Sequence, residues 1–184
     1  MPFDHPTILS RRFVFPVLLQ ALALSVWLYL CGTIWLEEKR LTLWLTAMGG
    51  SGLVATLTQL LILPHWLRHE RLDWLVYGVL GSLTGTALLY AAVWYADNLT
   101  GATLYGLALG IIQWSILRDA PRKTWRWMIA STLGYLMLGV GFLIARSAFV
   151  LASPIGYEWG VFATGCAVAA LLHSITTLWT LEWL

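Results

Sequence analysis

Six apolar stretches of about twenty residues, separated by short polar breaks, leave this chain little choice of fold. They cover residues 13–36, 41–63, 74–95, 99–117, 127–145 and 160–181. A helix needs about 20 apolar residues to cross a ~30 Å hydrocarbon core, so each stretch is predicted to be a transmembrane helix. The breaks, such as Glu37-Glu38-Lys39-Arg40 and Ala96-Asp97-Asn98, are too short to hold a domain. The expectation is an all-α, single-domain integral membrane bundle of six transmembrane helices over residues 1–184. Arg11-Arg12 before the first stretch imitates a signal peptide. That stretch exceeds the usual apolar core of about 7–15 residues, and no small-residue cleavage site precedes Glu37. It reads as a retained helix.

Composition narrows the function. Charged residues are 11% of the chain, under half of the ~25% typical of soluble domains. The 59% hydrophobic content excludes disorder. A net charge of +2 with dispersed basic residues excludes a nucleic-acid binder. Cys31 and Cys166 both lie in apolar runs, which excludes a disulfide scaffold and suits small core residues.

Basic residues in short loops set orientation. One side would hold Arg11, Arg12, Arg68, Arg71, Arg118, Arg122, Lys123 and Arg126; the other Lys39, Arg40 and Arg146. Both termini are therefore expected in the cytoplasm of a bacterial inner membrane, of the cytoplasmic or thylakoid type. The stretch 118–126 should meet anionic lipid. Arg146, late in the fifth helix, should snorkel to the outer headgroups, with Glu158 as its partner. Trp35, Trp44, Trp66, Trp74, Trp94, Trp125, Trp127, Trp159 and Trp183 fall near helix ends, where an interfacial indole belt accounts for them.

The even-numbered helices resemble one another. Gly52 and Thr56 precede Gln59 by seven and three residues; Gly106 and Gly110 precede Gln113 likewise, and Cys166 and Ala170 precede His173. At 3.6 residues per turn these positions share a face. Trp74 and Trp127 each stand seven residues before a glycine, Gly81 and Gly134. Three repeated helical hairpins describe the pattern. Gly81-x-x-x-Gly85 and Gly106-x-x-x-Gly110 offer flat surfaces for close helix packing.

All three glutamines, Gln20, Gln59 and Gln113, lie within spans, as does His173. They should face the bundle interior, joined at similar depth by Ser82 and by Ser131 or Thr132. Such a polar ring is open to three readings. Its members can bind one another as structural glue. They can ligate the magnesium of a chlorophyll, with His173, Gln113 and Gln59 as candidate ligands. Or they can line a path for a small neutral solute; no mid-span carboxylate provides for proton coupling. His65 and His69, four apart beside Glu70, have metal-clamping spacing but follow Pro64 and read as an interfacial loop. No metal site is assigned. No nucleophile elbow, phosphate loop or zincin motif is present, and no residue takes a catalytic role.

The run Gly106-x-x-x-Gly110-Ile-Ile-Gln113-Trp114-Ser-Ile-Leu117-Arg118, followed by Trp125, Trp127 and Gly134, carries a resemblance. It is similar to a signature of small bacterial multi-pass membrane proteins, many from phototrophic lineages. The likeness is good over helices 4 and 5, partial in helix 2, where Leu60 and Pro64 replace the tryptophan and arginine, and faint in helix 6. It implies a photosynthetic or related membrane and transfers no functional residue. Together these readings anticipate a non-catalytic accessory or assembly subunit of a larger membrane complex, with chlorophyll or carotenoid as the cofactor to look for. The rival expectation is a permease or channel for a small neutral solute.

Overall fold

Why these stretches become helices follows from their surroundings as much as their composition. Inside a bilayer every backbone amide must find its partner within the chain, and a helix does so locally. The computed structural model describes residues 11–35, 40–62, 70–118, 124–153 and 156–183. Among them are six helices and no strand: α1 (Arg11–Trp35), α2 (Arg40–Ile62), α3 (Arg71–Tyr95), α4 (Asn98–Leu117), α5 (Trp125–Ala152) and α6 (Glu158–Trp183). Five of these are long and apolar enough to cross a membrane, which makes this a multi-pass membrane protein.

Helix ends have local causes. Asp97 caps α4: its Oδ1 accepts from the backbone N–H of Leu99 (2.7 Å) and Thr100 (2.8 Å), and its Oδ2 from the Thr100 hydroxyl (2.6 Å). These bonds, the Thr100 hydroxyl foremost, hold the Asp97 carboxyl below its ordinary range. At the α5–α6 junction Gly156 adopts φ 75°, a left-handed turn that a side chain would resist. α5 is longer than its apolar run predicts and places Arg146 almost two turns before its end. Glu158, its expected partner, has a buried Oε2 without a hydrogen-bond partner.

The six helices close into a ring in chain order, each packed on the next and α6 on α1. Close approaches give the register. Gly78 and Gly49 face Thr56 and Thr86 across α2–α3; Gly81 and Gly85 face Leu109 and Tyr105 across α3–α4. Gly106 and Gly110 abut Ser131 and Met128 across α4–α5, and Gly141 abuts Ala169 across α5–α6. Gln20 meets Thr177, and Gly32 meets Phe162, across α6–α1. Neighbours are therefore antiparallel throughout. The expected glycine faces do lie at helix contacts. Large apolar side chains such as Phe15, Leu22, Leu61, Leu83, Ile144 and Val150 cover the outside, the chemistry a bilayer requires.

The tryptophans split into two sets. Trp94 (64% exposed), Trp125 (49%) and Trp159 (37%) lie on the outer surface as a belt would. Trp74 and Trp127 are fully buried and Trp44 is 4% exposed, which corrects the belt assignment for those three. They fill the ends of the ring, where a large flat indole excludes more apolar surface than any aliphatic side chain. The side chains of Trp35, Trp66 and Trp183 lie outside the described residues, as do His65, His69 and the run 119–123.

Candidate functional site

The ring interior is ordered in three layers. At the end where α1, α3 and α5 begin, Val17, Trp74, Leu117, Trp127 and Leu178 form an apolar cap, with the Trp74 and Trp127 ring centres 5.5 Å apart. At the opposite end Leu28, Leu43, Trp44, Met48, Phe142 and Phe162 form a second cap. There Trp44 stacks on Phe142 at 5.8 Å and 18°. Between the caps lies a buried polar layer drawn from all six helices.

Every glutamine of the chain reaches that layer, and each is buried. Gln113 is engaged at both ends: its Oε1 accepts from Trp127 Nε1 (3.2 Å) and its Nε2 donates to Thr56 Oγ1 (3.5 Å). Gln20 Nε2 donates to Thr177 Oγ1 at 3.2 Å. His173, fully buried, lies edge-on to Tyr135 with ring centres 4.6 Å apart, and its Nδ1 sits beside the Gly134 backbone outside hydrogen-bond geometry. Tyr105 donates its hydroxyl to the Gly49 carbonyl (2.9 Å) and Ser131 to the Gly106 carbonyl (2.9 Å), tying α4 to α2 and α5. Gln20, Gln59, Gln113 and His173 thus share the layer without bonding one another among the described residues. Ser82 turns back on its own helix, bonding the Gly78 carbonyl, and Thr132 does the same with Met128.

Seven polar atoms of this layer lack a protein partner in good hydrogen-bond geometry: Gln20 Oε1, Gln59 Oε1, Trp74 Nε1, Tyr135 Oη, which stands beside the Ser51 hydroxyl, Ser174 Oγ and both ring nitrogens of His173. A buried polar atom without a partner costs about 1–3 kcal/mol, so their concentration here requires an explanation. None of the buried polar side chains among the described residues is acidic, lysine or arginine. Nor do the described residues bring together three or more His, Cys, Asp or Glu as a metal site would need.

Sequence reasoning found Gln20, Gln59, Gln113 and His173 because strongly polar groups in apolar spans are conspicuous. It missed Tyr105, Tyr135, Trp74, Trp127, Ser174 and Thr177. In helices that are apolar all round, an aromatic facing inward carries no periodic signal. The available clue was steric: Gly85 and Gly52 both stand against the Tyr105 ring, where a side chain would collide.

No protein-family model, curated protein or solved structure matches the chain.

Proposed function

We propose that this protein is a non-catalytic, six-span membrane carrier that occludes a small, uncharged, hydrogen-bonding solute in its central polar layer. The observation that carries the reading is the set of seven buried atoms that lack a protein partner in good hydrogen-bond geometry. Two are acceptors (Gln20 and Gln59 Oε1), one is a donor (Trp74 Nε1), and Tyr135, Ser174 and His173 can act either way. A matching solute both donates and accepts. The lack of buried acidic, lysine or arginine side chains among the described residues favours a neutral one. The two aromatic caps favour a small one, exchanged when one cap opens at a time. His173 has no nucleophile or carboxylate hydrogen-bonded to it, which supports binding without chemistry.

We further read the ring as three repeats of one hairpin, with both termini on the cytoplasmic side of a bacterial inner membrane and α2 as the sixth span. Support comes from matching contacts: Gly52 faces Ser82 across α2–α3 as Gly106 faces Tyr135 across α4–α5. The Trp127–Gln113 bond has its counterpart positions in Trp74 and Gln59, whose polar atoms are among the unpaired. The positive-inside pattern of the loops supports the orientation.

The same geometry serves a pigment less well. Gln59, Gln113 and His173 are sealed inside protein, Gln113 is already engaged, and the His173 ring lies against Gly134 and Tyr135. An accessory role in a larger complex would rest on the apolar outer faces, which lipid covers equally well. The test is stopped-flow light scattering on proteoliposomes challenged with urea, glycerol and water. Permeation above that of protein-free vesicles, reduced in Gln113→Leu and in Ser174→Ala, is expected. Ser174 Oγ has no protein partner, so Ser174→Ala keeps the fold while removing a solute contact. No permeation of any of the three, or chlorophyll or carotenoid bands in the gently purified protein, overturns the proposal.

A further inference from the structure

On the outer surface, α5 and α6 leave a groove of about 420 Å³ at the end where α5 begins. Trp125, Ile129 and Leu133 line it from α5 at four-residue spacing, with Arg126 beside them; Thr176 and Trp179 face them from α6. Polarity changes along its length. Arg126, Trp125 and Trp179 stand at the end nearest the membrane surface, and Ile129 and Leu133 continue toward the bilayer centre. A guanidinium at headgroup depth, indoles at the interface and an aliphatic floor below match a phospholipid from phosphate to acyl chain.

We propose that this groove is a binding site for one anionic phospholipid, held by its phosphate on Arg126 and by an acyl chain along Ile129 and Leu133. Charge complementarity selects the occupant. Arg126 is exposed and makes no ion pair among the described residues. The groove's threonines spend their hydroxyl protons inward, Thr176 on the Leu172 carbonyl (2.8 Å) and Thr180 on the Thr176 carbonyl (3.1 Å). Arg126 is thereby the principal donor for a phosphate, and a guanidinium grips phosphate oxygens in pairs. Basic pockets between helices at the basic end of a membrane protein recruit anionic headgroups in this way. The site is independent of the central layer and of the solute it holds.

Native mass spectrometry of the full chain, equilibrated in mixed micelles with dioleoylphosphatidylglycerol or dioleoylphosphatidylcholine, tests this. One retained phosphatidylglycerol per protein is expected. Its apparent affinity should fall about tenfold or more in Arg126→Gln, the scale of a charged hydrogen bond. Arg11→Gln, a basic residue at the same end, should change it little. Leu133→Trp, which fills the floor of the groove, should also release the lipid. Arg126→Gln lies on the surface, so its far-ultraviolet circular dichroism should match the parent. Equal retention of phosphatidylcholine, which carries the same phosphate but no net charge, overturns the claim that the groove selects an anionic lipid. An equal loss in Arg11→Gln overturns it in favour of diffuse surface charge. Full displacement by millimolar glycerol phosphate overturns the assignment to a lipid.

Discussion

Replacing Gly106 by alanine tests whether helix proximity holds the ring together. A Cβ built on Gly106 lies 2.8 Å from the Ser131 carbonyl oxygen, 2.8 Å from Tyr135 Cβ and 3.0 Å from Thr132 Cα. Carbon pairs are most stable at about 3.5–4.0 Å, so the new methyl stands roughly an ångström too close. Two of the three obstacles are backbone atoms and cannot rotate away. α4 and α5 must separate, which costs about 1–3 kcal/mol as overpacking. Separation also weakens the Ser131–Gly106 hydrogen bond, worth about 0.6 kcal/mol in a membrane bundle. Against this, alanine gains about 1 kcal/mol of helix propensity over glycine. The expected net loss is about 1–2 kcal/mol. Gly160→Ala is the matched control: nothing lies within 4 Å of its Cβ position, so only the propensity gain remains. Titration of both variants from mild detergent into sodium dodecyl sulfate, followed by circular dichroism, should move their midpoints in opposite directions. A Gly106→Ala protein as stable as Gly160→Ala would refute the claim that backbone contact sets the α4–α5 distance.

Gln113→Leu should cost about 1–3 kcal/mol in the same titration, because it strands Trp127 Nε1 in the interior, whereas Ser174→Ala, which removes a buried hydroxyl without a partner, should raise stability by about 1 kcal/mol. Asp97 predicts an acid dependence. Its folded carboxyl is held below the ordinary value of 3.8, so the cap's contribution is complete above that value and disappears as pH falls through the lowered one. Thermal scans between pH 6 and pH 2 should show the loss, and Asp97→Asn, which keeps a capping oxygen but cannot titrate, should flatten that part of the profile. Cys31 and Cys166 are free and buried in one cluster at the α1–α6 contact. A short, membrane-permeant bis-maleimide should therefore bridge them within one chain, alkylating both thiols without forming a dimer. Dimer formation alone would contradict ring closure.

Helix number, the glycine faces and the inward placement of Gln20, Gln59, Gln113 and His173 were legible because each depends on local spacing. A glutamine in an apolar span has one comfortable direction, and Gly-x-x-x-Gly marks a flat face wherever it occurs. What the sequence could not disclose was angular. Trp74 and Trp127 stand at helix ends, where position alone cannot distinguish an indole facing lipid from one facing the ring centre. For the same reason the layer's aromatics escaped notice: Tyr105 and Tyr135 are two of six tyrosines in helices without a polar side to contrast them with. Ring closure was equally silent, since Gln20 and Thr177 are 157 residues apart and neither advertises the other.

That separation bears on how the protein is made. Gln20 belongs to the earliest described helix and Thr177 to the latest, so during synthesis the amide enters the bilayer long before its partner exists. Until α6 arrives, α1 has only α2 to pack against, and the ring stays open between α1 and α5. Packing of α6 is then the event that turns an arc of helices into a closed ring. A ribosome stalled before α6 should leave a membrane-embedded but unsealed protein, with Gln20 within reach of whatever polar partner the insertion machinery or the lipid surface can lend it.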